Sequence, residues 1–345
     1  MLGGEAIAIV NADLPSHLPF PFPHFSMTTA PAPYSRTKPL ASRSNLEKNL
    51  EKAFKYLTLA FAVSIGLILV AIALLIFSQS LPAVKTFGLG FVTNNTWNPV
   101  TSQYGILAIM VGTLVNSSLA LLLAIPLGIG TALFLSEDFI PAKIRTVLTF
   151  MVELLAAIPS VVYGLWGIFV IIPLIKPVGM WLNEYFGWIP LFSTKPAGPG
   201  MLPASIVLAI MILPIITAIA RDSLASLPPE LRQASLGLGA TRWETIFRVL
   251  IPAAFSGIVG GIMLALGRAM GETMAVTMII GNSNRLSWSL LNPANTIASL
   301  LANQFAEASG MQVSALMYAG FVLIVLTFIV NVLAELIVNK VKAKY

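Results

Sequence analysis

Five strongly apolar stretches of this 345-residue chain run for 20 residues or more without a charged side chain. They are Tyr56–Phe77, Ile106–Phe134, Leu154–Ile175, Met201–Ala220 and Ala308–Ala334. A sixth, Ala253–Ile280, is interrupted only by Arg268 and Glu272. About 20 apolar residues suffice to cross a bilayer as a helix. Lipid offers no hydrogen-bond partners, so each crossing must satisfy its own backbone. The runs therefore predict an all-α polytopic membrane protein with six transmembrane helices. A composition of 57% hydrophobic and 10% charged residues, with mean hydropathy +0.87, excludes an ordinary soluble domain.

The net charge of +6 and the pI near 9.6 invite a nucleic-acid reading, but the placement of charge argues against it. With the N-terminus inside, 15 of the 20 basic residues fall on the cytoplasmic side. Only Lys85, Lys176, Lys195 and Arg285 fall outside, and Arg268 lies within the membrane. The positive-inside rule then puts both termini in the cytoplasm. The protein is expected in a membrane, with lipid and no nucleic acid as its surroundings. The chain has no cysteine, and His17 and His24 both lie in the N-terminal tail. Disulfides, thiolate metal sites and a histidine-based triad in the membrane body are thus excluded. No phosphate-binding loop of the Gly-x-x-x-x-Gly-Lys-Ser/Thr type occurs, so this chain is not itself an ATPase. No internal repeat is visible, which argues against an inverted-repeat secondary transporter.

Three regions follow. Residues 1–46, rich in Pro, Ser and Thr, read as a disordered cytoplasmic tail, and translation beginning at Met27 is a simple alternative for their first part. Residues 47–105 hold the first span and an external loop, and 106–345 form the membrane core, with a cytoplasmic loop at 221–252. The segments 176–200 and 281–307 read as external. Trp181, Tyr185, Phe186 and Trp188 in the first suit an interfacial aromatic belt.

Charges inside the membrane are the first candidates for function. Arg268 and Glu272 stand four residues apart, so on one helix they share a face. Keeping a charge at the bilayer centre costs at least ~2.5 kcal/mol on insertion scales. Either the pair neutralises itself and joins helices, or the face lines an aqueous path where Arg268 offers its planar fork to an oxyanion. Glu153, near the cytoplasmic end of span three, is a third pathway candidate, although a snorkelling or structural carboxylate explains it as well. It precedes Ile158-Pro159-Ser160, where a proline can kink the helix.

The loop before span five is the second. Pro228 and Pro229 suit the first turn of a short helix, and Gly237 and Gly239 its end. Thr241 and Glu244 form a capping-box pattern that opens a second helix, and Pro252 introduces the next membrane segment. Helical spacing puts Trp243, Ile246, Phe247 and Leu250 on one face, with Arg242 and Glu244 away from it. Such an element can lie at the membrane surface and present a side to a soluble partner.

This loop resembles the cytoplasmic coupling loop of ABC-importer permeases, whose pattern is Glu-Ala-Ala, three residues, Gly, nine residues, Ile-x-Leu-Pro. Here Gln233-Ala234-Ser235, Gly239 and Val249-Leu250-Ile251-Pro252 keep that spacing, with Gln for Glu and Ser for the second Ala. The runs Glu153–Gly164, Gly267–Val276 and Ile280-Gly281-Asn282 look like those of PstC-type phosphate permeases, and the similarity extends from roughly residue 50 to 340. The resemblance implies a type I ABC-importer transmembrane domain that conducts phosphate and performs no covalent chemistry. It implies contact with the ATPase through Gln233, Ala234, Ser235, Gly239, Trp243, Glu244, Phe247 and Pro252. It also implies a second, PstA-type permease, a PstB-type ATPase dimer and a PstS-type external phosphate-binding protein. This chain would bind no cofactor, since ATP and magnesium belong to the ATPase. A sulfate or molybdate permease is the neighbouring alternative. A carrier driven by protons through Glu153 and Glu272 is the alternative from another class.

Overall fold

A computed structural model describes residues 45–342. The expected tail over 1–46 lies outside these residues except for Asn45 and Leu46, which begin the first helix. The chain divides into two units, one ending at Ser64 and one running from Ile65. In the first, the described residues are the N-terminal part of α1 (Asn45–Phe87), and all their side chains are exposed. From Tyr56 onward these residues are uncharged and mostly apolar, an exposed helical surface that lipid rather than water stabilises.

The second unit holds everything else. After α1 come α2 (Gly90–Thr93) and a short hairpin in which Trp97 pairs with Tyr104 and Asn98 with Gln103. The spans α3 (Leu107–Ser136) and α7 (Met201–Ala225) pack along their length. Between them lie α4 (Ala142–Ala157), α5 (Ser160–Trp166), a π turn at Gly167–Ile171 and α6 (Ile172–Phe186). Beyond α7 are α8 (Pro229–Gly237), α9 (Arg242–Thr245), a π turn at Ile246–Leu250 and α10 (Ile251–Gly271). The chain closes with α11 (Met274–Ile279), α12 (Ile297–Gln304) and α13 (Met311–Lys342). Among the described residues, six helical stretches are long and apolar enough to cross a membrane, in agreement with the five uncharged runs and the sixth that holds Arg268 and Glu272.

The spans differ from the sequence reading in four places, each for a local reason. Span three does not begin at Leu154. Ile158 is extended (ψ 128°), because the ring of Pro159 disfavours helix at the residue before it. The crossing helix therefore starts at Ser160 and runs to Phe186, while Glu153 rides on the separate helix α4. Span five is interrupted near its far end, where Glu272 is extended (ψ 124°) and α11 starts afresh. Pro252 stands in the first turn of α10 as expected, but the helical stretch is longer than that segment and runs unbroken from Arg242 through the π turn to Gly271.

The fourth difference is the largest. Much of the segment 281–307, expected to be an external loop, is core. Ile297 and Leu300 are fully buried, and Ser289, Asn295, Thr296 and Ser299 nearly so. A polar mesh holds it: Ile297 N–H donates to Thr113 Oγ1 (3.0 Å), Ser299 Oγ to Asn282 Oδ1 (2.8 Å) and Asn295 Nδ2 to Asn284 Oδ1 (2.7 Å). Gly112 on α3 is where this segment comes closest, since a Cβ there would strike the carbonyl of Asn295. Buried backbone survives in such a segment only because each polar group finds a partner.

Candidate functional site

Two regions of the second unit gather the candidate residues. The first is the end of the molecule where α3 and α7 stop and α9 begins. Pro229 opens α8, and its C-terminus is closed by a Schellman arrangement. Gly239 N–H donates to Leu236 O (3.0 Å) and Ala240 N–H to Ser235 O (3.2 Å), with Gly239 at φ +87°. That left-handed conformation is the reason for glycine here. Thr241 then caps α9. Its Oγ1 accepts from Glu244 N–H (3.3 Å), and its own N–H donates to Glu244 Oε2 (2.9 Å), forming the expected capping box.

Gln233 and Ala234 are exposed on α8, and Ser235 turns inward to bond Thr245 Oγ1 (2.9 Å). Trp243, Ile246, Phe247 and Leu250 do not share one face as helical spacing suggested. Ile246 and Leu250 are buried in a cluster with Ala132, Ala220, Leu224, Ala254 and Ile258, while Trp243 and Phe247 stay about 60% exposed. The π turn shifts the register between them. Trp243 and Phe247 stack on each other (6.0 Å), and Phe139 and Phe134 extend the ladder (5.9 and 6.2 Å). Arg242 lies 5.6 Å over the Phe139 ring.

The sequence reading missed what holds this element in place. The three-residue turn Glu137-Asp138-Phe139, just past α3, is gripped by three arginines. Arg232 of α8 reaches Glu137 through Nη2 (2.8 Å) and Nε (3.2 Å), and also donates to Leu224 O at the end of α7 (3.2 Å). Arg145 of α4 bonds Asp138 Oδ1 (2.8 Å) and Glu137 O (3.2 Å). Arg242 reaches Asp138 O (3.5 Å). The Arg145 hydrogen bond holds the Asp138 carboxyl below its ordinary value against the opposing effect of burial, and the charges of Arg145, Arg242 and Arg232 add to the lowering. The cleft they line, about 100 Å³, is too small for a drug-sized ligand. A sequence signal did exist: Glu137 and Arg232 are opposite charges on two loops of the same side.

The second region is the face of α10 near its break. Arg268 is exposed and makes no hydrogen bond or ion pair among the described residues. Glu272 is not its partner on a shared helix face, because the helix ends at Gly271. Its Oε1 instead accepts the Ala275 N–H (3.5 Å), helping to cap α11. Glu153 lies apart from both and faces Arg221 of α7 (3.6 Å). The three pathway candidates thus do not form one cluster. Around them, α11 packs against α5, with Gly164 opposite Met278 and Ala275.

With this geometry, the chain can be placed among known proteins. The family described as binding-protein-dependent transport system inner membrane component matches residues 124–343. The chain belongs to that family. Among its relatives, the phosphate transport system permease protein PstC of Pasteurella multocida is 42% identical over 315 residues, spanning 90% of this chain and 98% of that one. The PstC protein of Mesorhizobium japonicum is 44% identical over 297 residues, 84% and 90% of the two chains. A probable PstC of Methanocaldococcus jannaschii is 37% identical over 288 residues, 81% and 91%. Within the family, the chain is a PstC-type permease. Solved structures agree in fold alone. A bacterial alginate ABC transporter, with 17% identity, aligns with TM-score 0.59 over 87% of this chain and 99% of that one. The MetNI methionine ABC transporter, with 16% identity, aligns with TM-score 0.53 over 71% and 99%.

Proposed function

We infer that this chain is the membrane-spanning permease subunit of an ATP-driven phosphate importer, forming part of the translocation pathway and coupling it to a separate ATPase. The observation that carries this reading is 42% identity to a PstC permease across nine-tenths of the chain. The chain carries out no covalent chemistry, and ATP hydrolysis belongs to the ATPase. Its finer partners are a PstA-type permease, a PstB-type ATPase dimer and a PstS-type external receptor for phosphate.

In this reading, Gln233 and Ala234 offer the open side of α8 to the ATPase, and Trp243 and Phe247 extend that surface. Gly239 sets the angle between the two short helices, Glu244 and Ser235 hold that angle, and Pro252 follows the π turn that aims α10. Arg268 presents the pathway with an unneutralised guanidinium, a group suited to a tetrahedral oxyanion by charge and by its bidentate fork. Support comes from its exposure and its lack of an acidic partner among the described residues. Glu272 and Glu153 are occupied elsewhere, one capping a helix and the other beside Arg221. That engagement disfavours a proton relay through them. Uptake of labelled phosphate by cells lacking their own permease, with and without an intact ATPase partner, tests the reading. ATPase-independent uptake contradicts it.

A further inference from the structure

We propose that the Arg232–Glu137 ion pair is the strut that transmits ATPase motion from α8 into α3. This rests on the coupling role just given. The two neighbours Arg232 and Gln233 point opposite ways on α8: Gln233 is exposed, while Arg232 turns inward to the protein. Force arriving at the outer side must leave α8 through its contacts with the rest of the chain. Those contacts are few. No side chain of α8 is buried, and none belongs to a hydrophobic core cluster. Its side-chain hydrogen bonds among the described residues are the Arg232 fork on Glu137, the Arg232 bond to Leu224 O, and Ser235 with Thr245.

Of these, only the fork joins α8 to the end of α3. Glu137 is the residue immediately after α3, and its N–H closes the last turn of that helix on Leu133 O (3.0 Å). Displacement of Glu137 therefore pulls on a span that packs along α7. Nη2 and Nε of the planar guanidinium both reach Oε1 (2.8 and 3.2 Å), and Nε also reaches Oε2 (3.4 Å), so two donor atoms resist shear better than a single ammonium contact. The pair is also sheltered, with side chains only 24% and 15% exposed, so water screens it weakly. The neighbouring Arg145–Asp138 pair differs: Asp138 is 88% exposed, and such surface pairs contribute little.

The test uses the full transporter in proteoliposomes, with both permeases, ATPase and external receptor, and measures phosphate moved per ATP hydrolysed. Three variants are compared: Glu137→Gln, Arg232→Lys, and the exchange Glu137→Arg with Arg232→Glu. The two single variants are expected to retain complex yield and ATP hydrolysis within about twofold. Their phosphate-to-ATP ratio should fall roughly tenfold, the scale of one charge-assisted hydrogen-bond pair. The exchange should recover at least about a third of that ratio, because it restores opposite charges at the same two positions. An unchanged ratio in both single variants overturns the proposal. So does a parallel loss of yield, hydrolysis and transport that the exchange fails to repair, since the pair would then only hold the fold. If instead the unsubstituted complex moves no phosphate with ATP, it is the functional reading that fails.

Discussion

Replacing Gly239 isolates conformation from packing. At φ +87°, the residue sits where L side chains are strained, yet a Cβ built there meets nothing within 4 Å. Any penalty is therefore conformational. Alanine in a left-handed position costs about 1–2 kcal/mol, partly offset by its stiffer unfolded chain. A β-branched residue is worse, at roughly 2–3 kcal/mol. On the scale of 1.4 kcal/mol per factor of ten, Gly239→Val lowers the population of the native turn by roughly 30- to 150-fold. With that turn go the bonds from Gly239 and Ala240 that close α8, and with them the angle at which α9 leaves it. Asparagine tolerates the left-handed region, so Gly239→Asn should stay close to wild type. Copurification of the ATPase and initial rates of phosphate uptake give the readouts, with membrane abundance as control. Valine should lose both activities at normal abundance, alanine should fall between, and asparagine should keep them. If valine matches wild type, or asparagine is as damaging as valine, positive φ is not why glycine stands here.

Other substitutions reach the rest of the account. Gly112→Ala should sharply lower assembled complex, because the new methyl meets the Asn295 carbonyl, whereas Gly130→Ala, with open space around it, should be neutral in the same yield assay. Arg268→Gln should assemble normally and lose uptake. Glu272→Gln should keep uptake within about threefold, since its carboxylate only helps cap α11. Single cysteines are clean topology probes in a chain with no native cysteine. An impermeant maleimide should label Lys195→Cys in intact cells and spare Lys143→Cys, and labelling of the second would overturn the orientation.

The spans and the coupling loop were legible because their determinants are local. Twenty uncharged residues dictate a crossing helix, Thr241 and Glu244 dictate a cap, and Gly239 supplies a backbone state other residues resist. The break at Ile158-Pro159 was legible only as a kink, since sequence does not say whether lipid or a neighbouring helix will satisfy freed backbone groups. The break at Glu272 follows Gly271, but a glycine in a membrane helix more often serves close packing and does not by itself announce a break. It arises in a tertiary setting where α11 packs on α5, and it separated Arg268 from the partner that helical spacing assigned. The buried segment after Ile280 was hidden for a different reason. Its asparagines, serines and threonines read as solvent-facing, yet inside the protein they bond one another and Thr113, which makes their burial affordable. Glu137 and Arg232 lie 95 residues apart, and only the folded chain shows that they meet.

The central claim is best tested by transport with purified components. The chain, a second permease and the ATPase are placed in proteoliposomes with receptor-bound phosphate, and accumulation of labelled phosphate is followed on adding ATP. The account predicts uptake that requires ATP and the ATPase, collapses with Arg268→Gln, and does not respond to an imposed proton gradient. Phosphate accumulation driven by the proton gradient without ATPase, or ATP-driven import of sulfate in place of phosphate, would contradict it.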